Sequence, residues 1–484
     1  MGNINAFFNK KPIYWFSAGT MIRQLVSFIM LPIYTSYLSP ADYGVLSLLL
    51  VTVSIFELFL AAQFGRAIPK FYYDKERQKD RDSVVVTALS LTVPISLVGV
   101  IAFYFSAPVI SEYVLERKDI ATVVAMYSVI LCTSTIESYV MMLFRLKEHI
   151  AFFFFTSLIR LFIQLSLNIY FVVILETGLV GVLYSSIIVS LLFALLSLVY
   201  TFKVCHISVD KGLVKPLFVF TWPLWFAGLG SVFVTSSSHF IIKELASVAD
   251  VGLYQLANKF GMIISLIVWT PFSHWWQTER FKIVNNESRR DEFPLIFQCI
   301  SFVLVMSAIG ISFLSPLVLK MMVAPDFYPS VDLIPMLCFH FVLMHLGHMY
   351  NLAYLYTEKT KVMANVTWLN AVLIVIFLSI ATYFYGIVGA MYGYLLSSAI
   401  TFLLNVYLSK KQFDLGYDFT KTFTFIVLSF LAVILLQPLL SIDLNYTELV
   451  TRSVLGILLI GGALTIAVFS NKDTRHFLFA AIKR

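Results

Sequence analysis

Residues 39–45 read Ser-Pro-Ala-Asp-Tyr-Gly-Val, and an apolar run, VLSLLLVTVSIFELFL, follows over residues 45–60. A related stretch, Ser-Val-Ala-Asp-Val-Gly-Leu over residues 247–253, opens a second apolar run 208 residues further on. A membrane-spanning helix needs about 20 mostly apolar residues, and both runs approach or exceed that length. The sequence therefore predicts a membrane protein with an internal repeat. The repeat is approximate, since Val248 stands where the first half has Pro40.

The composition of the whole chain agrees with this prediction. Of its 484 residues, 60% are hydrophobic and only 13% are charged, and the mean hydropathy is +0.87. Soluble domains are about 45–50% apolar and about 25% charged. This chain has too few charges to cover a surface that faces water. The composition therefore excludes a water-soluble enzyme, a disordered chain and a fibrous protein.

Fourteen segments are long and apolar enough to cross a bilayer. They lie at 12–34, 43–64, 83–105, 120–143, 151–175, 178–202, 216–240, 251–276, 293–316, 329–356, 361–384, 387–408, 419–440 and 447–470. The predicted fold is an all-α polytopic membrane protein with about 14 transmembrane helices. We expect an N-terminal lobe of spans 1–6 over residues 1–215, a second lobe of spans 7–12 over 216–410, and spans 13–14 over 411–484.

The basic residues predict the orientation. With both termini in the cytoplasm, 26 of the 34 Lys and Arg fall on the cytoplasmic side, five fall outside and three lie within spans. Cytoplasmic loops of membrane proteins are rich in Lys and Arg. This asymmetry also accounts for the net charge of +7, so the charge does not indicate a nucleic-acid partner. An even number of spans separates the two repeat motifs, so the two halves share one orientation. We expect a pseudo-two-fold axis along the membrane normal.

Charges inside a membrane are costly and mark either a pathway or a pairing. Five that lie well inside predicted spans stand out, at Arg23, Glu57, Glu137, Arg160 and Lys259. Glu137 and Arg160 lie at similar depth on consecutive spans, so a buried ion pair is one interpretation, and Arg23 with Glu57 is a second possible pair. The other interpretation is a hydrated cavity lined by these groups and by Gln164, which is one helical turn beyond Arg160. With three basic groups against two acidic ones, such a cavity favours an anion. A guanidinium binds two phosphate oxygens at once.

Other polar residues indicate less. His345 and His348 on span 10 lie about 60° apart on a helical wheel, which permits a shared ion, but polar lining or helix–helix hydrogen bonding is the simpler interpretation. Trp269, Trp275 and Trp276 close span 8 where Trp normally anchors a helix at the membrane interface. The four cysteines are far apart and predict neither a disulfide framework nor a zinc site. We expect no cofactor and no metal.

Several motifs resemble those of a known family. They are residues 31–44, ending in Leu-Ser-Pro-Ala-Asp-Tyr-Gly, together with residues 63–67, 71–73, 251–260 and 324–328. The chain resembles Wzx-type polysaccharide-unit flippases of the multidrug/oligosaccharidyl-lipid/polysaccharide exporter superfamily. The resemblance implies two lobes around a central cavity, alternating access, and a cargo of undecaprenyl-pyrophosphate-linked oligosaccharide for O-antigen, capsule or exopolysaccharide assembly. The implied location is the bacterial inner membrane.

Two rival functions remain. A cation-coupled multidrug antiporter of the same superfamily would be expected to carry a carboxylate on span 1, where this chain has Arg23. A membrane glycosyltransferase or polymerase needs acidic residues on a sizeable outer loop, and the predicted outer loops are short. For the flippase we expect membrane lipids and the lipid-linked oligosaccharide as partners. A coupling ion, H⁺ or Na⁺, and the polymerase and chain-length proteins of the same pathway are further possible partners.

Overall fold

A computed structural model describes residues 28–60, 64–73, 81–206, 208–437 and 442–469. These residues form α-helices joined by short turns, and no strand occurs among them. The helices of the N-terminal half are α1 (Leu31–Tyr37), α2 (Pro40–Leu60), α3 (Ile68–Tyr72), α4 (Arg81–Val109), α5 (Ala121–Tyr127), α6 (Ile130–Leu146), α7 (Ile150–Asn168), α8 (Gly178–Val204) and α9 (Val214–Leu245). Those of the C-terminal half are α10 (Val248–Ile263), α11 (Thr270–Val284), α12 (Glu292–Met322), α13 (Ile334–Met349), α14 (Asn351–Tyr356), α15 (Thr360–Gln412), α16 (Phe419–Leu436) and α17 (Tyr446–Phe469).

The helices coincide with most of the predicted spans. Within the described residues, ten helical stretches are long and apolar enough to cross a membrane. One of them, α15, contains two predicted spans, because Gly386 interrupts it with φ 60° and ψ −148°. Such a backbone conformation favours glycine. These helices confirm an all-α polytopic fold. Span 1 falls mainly outside the described residues, so the number of fourteen spans stays a prediction.

The chain divides into two compact units, residues 1–239 and 240–484, and the division falls inside α9. In the first unit, α6 packs against α4 and α8. In the second unit, α13 is the central helix and packs against α10, α12 and α15. The predicted lobe limits at residues 215 and 410 stay a prediction.

The repeated motif has the same local structure in both halves. The Ser39 hydroxyl accepts a hydrogen bond from the Asp42 backbone N–H at 3.1 Å, and Ser247 accepts one from Asp250 at 3.0 Å. Each serine hydroxyl also donates to the aspartate carboxylate, at 2.8 Å and 2.7 Å. A serine that caps the N–H three residues later satisfies one of the free donors of a helix N-terminus. The motif is therefore the start signal of α2 and of α10.

A second repeated feature is a turn with glutamate in a left-handed conformation. Glu148 has φ 57° between α6 and α7, and Glu358 has φ 58° between α14 and α15. The residue after each glutamate donates its N–H five residues back, from His149 to Phe144 and from Lys359 to Tyr354, both at 2.8 Å. This pattern is the Schellman motif, which ends a helix and usually places glycine at the left-handed position. The two halves therefore share a turn that sequence similarity does not show.

Candidate functional site in the membrane-spanning helices

The buried carboxylate of Glu137 forms an ion pair with the Arg160 guanidinium. Glu137 lies on α6 and is 3% exposed, and its Oε1 contacts Nη1 of Arg160 on α7. A short turn joins these two helices, which places both side chains at the same depth. The Arg160 side chain is 31% exposed, so part of it stays accessible. The pairing suggested by consecutive spans is thus present in the structure.

Glu57 on α2 extends this polar region. Its carboxylate Oε1 accepts a hydrogen bond from the Ser134 hydroxyl at 2.5 Å. Ser134 and Glu137 are three residues apart on α6 and share one helix face. Two carboxylates from neighbouring helices therefore border the same face of α6. Ser134 was missed by the sequence analysis, because a serine partner on another helix leaves no periodic signal.

Polar residues along α7, one and two turns beyond Arg160, form hydrogen bonds with α1 and α8. Gln164 donates to the Ser185 hydroxyl at 3.0 Å and to Asn168 Oδ1 at 3.3 Å. Asn168 in turn donates to the Tyr34 hydroxyl at 2.8 Å, and Ser185 donates to Asn168 Oδ1. These contacts form three groups along the helices, and we call them together the N-terminal polar network; its members are Tyr34, Glu57, Ser134, Glu137, Arg160, Gln164, Asn168 and Ser185.

Two candidate residues remain, Arg23 and Lys259. Arg23 lies outside the described residues, and its pairing with Glu57 stays a prediction. Lys259 is half-buried on α10. It shares a partly exposed face with Gln255, Asn258 and Met262, whereas the intervening residues Tyr254, Leu256, Ala257 and Phe260 are buried. A polar stripe on a spanning helix faces a bundle interior or water rather than lipid. Whether Lys259 faces cargo stays a prediction.

Below this stripe lies a cluster of aromatic and polar rings, which we call the Trp–His cluster: Ser265, Trp269, His345 and His348. The backbone between α10 and α11, Ile264–Trp269, is a π-helix. His345 on α13 is 3% exposed, and its Nε2 is 2.7 Å from the Ser265 hydroxyl. The Trp269 ring stacks on the His345 ring, with centroids 4.8 Å apart and planes 14° apart. His348, one turn further on, is exposed.

The three tryptophans at the end of this span differ in exposure, and their anchoring at the membrane interface stays a prediction. Trp276 is buried, at 2% exposed, Trp275 is 47% exposed, and Trp269 is held against a buried histidine. Gly261 allows the close approach, because a Cβ there would lie 2.7 Å from the Phe341 ring on α13. The residues that the structure describes hold no group of three His, Cys, Asp or Glu placed to bind a metal. His345 takes part in a helix–helix hydrogen bond, as its simpler interpretation predicted.

Known structures share this architecture. A lipid II flippase, MurJ, in an inward closed conformation aligns with a TM-score of 0.70 and 14% identity, covering 94% of this chain and 99% of that one. An inward-facing multidrug resistance MATE family transporter of the MOP superfamily aligns with a TM-score of 0.63 and 16% identity, covering 81% and 94%. The MATE multidrug transporter DinF-BH gives a TM-score of 0.58 and 15% identity, covering 82% and 95%. No curated protein sequence gives a significant match.

The chain therefore shares the fold of these membrane transporters. The profile of the polysaccharide biosynthesis protein family matches residues 10–275, which is more than half of the chain. The chain belongs to the polysaccharide biosynthesis protein family.

Proposed function

We propose that the protein is a flippase for undecaprenyl-pyrophosphate-linked oligosaccharide units. It moves them from the cytoplasmic to the outer leaflet of the bacterial inner membrane for O-antigen, capsule or exopolysaccharide assembly. The observation that carries this proposal is the family match over residues 10–275. The likeness of the fold to a lipid II flippase over 94% of the chain supports it.

The charges inside the spans fit an anionic cargo. Arg160 is offset by Glu137, which leaves Arg23 and Lys259 as basic groups against Glu57. A pyrophosphate carries roughly two negative charges through a region of hydrocarbon, and fixed cations there stabilise it without reorganising. We assign this role first to Arg23, which by the span count lies near the midplane. Lys259 and the accessible part of Arg160 are further contacts, and Gln164 contributes hydrogen bonds.

The protein acts as a transporter rather than an enzyme in this proposal, by alternating access and with both termini in the cytoplasm. Glu57 is the carboxylate that can take up H⁺ or Na⁺, because its carboxylate is half-buried and bonded to an uncharged serine. Polymerase and chain-length proteins of the same pathway are the expected partners on the outer side.

A multidrug antiporter is the second candidate, favoured by the MATE fold and by the carboxylate of Glu57. If the protein were an antiporter for cationic drugs, its deletion would raise susceptibility to cationic dyes and leave surface glycan unchanged.

Deletion and complementation test the proposal. A strain that lacks the protein should lose surface glycan and accumulate lipid-linked oligosaccharide, and a plasmid copy should restore export. Arg23→Ala should fail to restore it at a normal protein level, and Arg23→Lys should restore it in part, because an ammonium lacks the two-pronged fork. Lys118→Ala is the matched control, since that lysine is 74% exposed and outside the network. Full export by Arg23→Ala contradicts the cationic mechanism, and normal glycan in the deletion strain contradicts the flippase.

A further inference from the structure

The Trp–His cluster has a geometry that packing alone does not explain. His345 is almost fully buried, and among the described residues its Nδ1 has no hydrogen-bond partner. A buried polar atom without a partner costs about 1–3 kcal/mol. A phenylalanine would stack on Trp269 without that cost. What the imidazole adds is the bond to Ser265, which fixes its plane and with it the plane of Trp269.

The backbone of the cluster is also specialised. Pro271 has no N–H to continue the helix, and the Thr270 hydroxyl donates instead to the Ser265 carbonyl at 2.8 Å. The result is the π-helix Ile264–Trp269, which carries both Ser265 and Trp269. Single π-turns inside helices occur frequently at functional sites. Here the π-turn brings Ser265 and Trp269 to the same histidine.

The cluster lies on the protein side of its helix and not on the lipid side. The span that contains His345, Pro325–Tyr356, has 83% of its window buried, the largest share among the ten candidate spans of the described residues. His348 is exposed beside Trp269, with ring centroids 6.0 Å apart, and it lies 3.4 Å from Asn351. An exposed imidazole and a half-buried amide within a span border water or a ligand rather than hydrocarbon.

We infer that the Trp–His cluster is a carbohydrate-binding subsite, in which one sugar ring of the cargo packs on the half-buried Trp269. This inference rests on the proposed function. A sugar ring has an apolar face of C–H groups and a rim of hydroxyls, so it needs an aromatic plane with donors and acceptors beside it. Trp269 supplies the plane, and His348 and Asn351 supply the polar groups at its edge.

The charge of the cluster favours a sugar over a cationic drug. Its four members include no carboxylate, and the nearest charged residue along α10 is the cation Lys259, about two turns from Ser265. A cationic drug on the Trp269 ring would find no carboxylate among these four residues to offset its charge beyond the cation–π attraction. The polar stripe Gln255, Asn258 and Lys259 continues from the cluster along α10, so a sugar on Trp269 and a pyrophosphate at Lys259 fit one extended cargo.

The fixed orientation of the Trp269 ring strengthens sugar binding at the subsite. A ring fixed before binding loses little side-chain freedom when the ligand arrives. Removing Ser265 should therefore weaken sugar binding even though the serine does not touch the sugar. Ser265 is a positioning residue, and Trp269 is the contact residue.

The experiment compares two lipids on the purified full-length protein in nanodiscs. The probes are bare undecaprenyl pyrophosphate and the lipid-linked oligosaccharide extracted from the strain that lacks the protein. The measured quantity is the ratio of their two dissociation constants. In the wild type the oligosaccharide lipid should bind at least about tenfold more tightly, a difference of about 1.4 kcal/mol.

The variants separate a sugar contact from a structural role. Trp269→Leu should bring the ratio close to one and leave binding of the bare lipid unchanged, and Trp269→Phe should keep most of the preference. Ser265→Ala, a small change that does not remove packing volume, should lower the ratio severalfold. Trp275→Ala is the matched control and should keep the wild-type ratio.

An unchanged ratio in folded Trp269→Leu overturns the subsite, and so does an equal loss of affinity for both lipids. If Trp269→Leu does not fold, a wild-type ratio in Ser265→Ala overturns it. A wild-type protein that binds both lipids equally also overturns the subsite, whereas a wild-type protein that binds neither lipid refutes the proposed function itself. That result is read on the wild type alone and is therefore distinct from failure of the subsite.

Discussion

The ion pair between Glu137 and Arg160 makes the sharpest prediction about stability. Arg160→Ala leaves a carboxylate that is 4% exposed without its guanidinium partner. Breaking a buried pair in this way costs about 3–5 kcal/mol. The Arg160 side chain is 31% exposed, so water can reach part of the vacated site, and we expect the lower end, about 3 kcal/mol. A unit of this size shifts its thermal midpoint by about 2–4 °C per kcal/mol, so the midpoint should fall by about 6–12 °C.

The double variant distinguishes a structural pair from a pair used in transport. Glu137→Ala with Arg160→Ala removes both charges, and its midpoint should lie above that of Arg160→Ala alone. The assay is thermal unfolding in detergent, followed by intrinsic fluorescence, with surface glycan measured in parallel. Arg117→Ala is the control, since its pair with Asp42 is partly exposed and such pairs contribute about 1 kcal/mol or less.

The outcome of the double variant assigns the role. Recovered stability with recovered glycan marks the pair as structural, and recovered stability without glycan marks Arg160 as a cargo contact. A midpoint for Arg160→Ala within about 2 °C of the wild type would refute the buried-pair reasoning. So would a double variant that is no more stable than Arg160→Ala.

Three further predictions concern the repeated turns, the repeated caps and the loop at 285–291. Glu148→Gly and Glu358→Gly should each raise stability by about 1 kcal/mol, because glycine adopts their left-handed backbone without strain; a lower thermal midpoint would contradict this. Ser39→Ala and Ser247→Ala should each cost about 1 kcal/mol by the same measurement, and a loss at one site alone would contradict equivalent caps. Hydrogen bonds from Lys282 and Arg289 hold the pKa of Glu279 below its ordinary value. These bonds therefore stabilise the loop at 285–291 fully when the pH is above the ordinary pKa, and the stabilisation is lost as the pH falls through the lowered pKa. Amide hydrogen exchange in this loop should quicken on acidification, and slower exchange would contradict the prediction.

Hydrophobicity predicted most of the fold because spanning segments must be apolar over a fixed length. The predicted gap between residues 384 and 387 falls at Gly386, where the backbone leaves the helical conformation. The π-helix Ile264–Trp269 was not predicted. It depends on how Thr270 and Pro271 act together, and hydropathy does not register that.

The site was predicted in part. Glu137 and Arg160 could be paired from the sequence because a short turn fixes their relative depth. Ser134 and Ser265 could not be found in this way, since each meets its partner across helices that are distant in sequence. The sequence predicts an interface anchor at Trp269 and does not reveal its stacking on His345, because that contact depends on the packing of α13.

The central claim is that the protein moves a lipid-linked oligosaccharide between leaflets, and one measurement tests it most directly. Purified protein is reconstituted in liposomes that contain the extracted lipid-linked oligosaccharide, and a sugar-oxidising reagent that cannot cross the membrane reports the fraction on the outer leaflet. We predict that the wild type exposes the inner-leaflet oligosaccharide to the reagent, while Arg23→Ala liposomes stay at the level of protein-free liposomes. Exposure equal to that of protein-free liposomes in the wild type, with cationic dye transported by the same liposomes, would contradict the account.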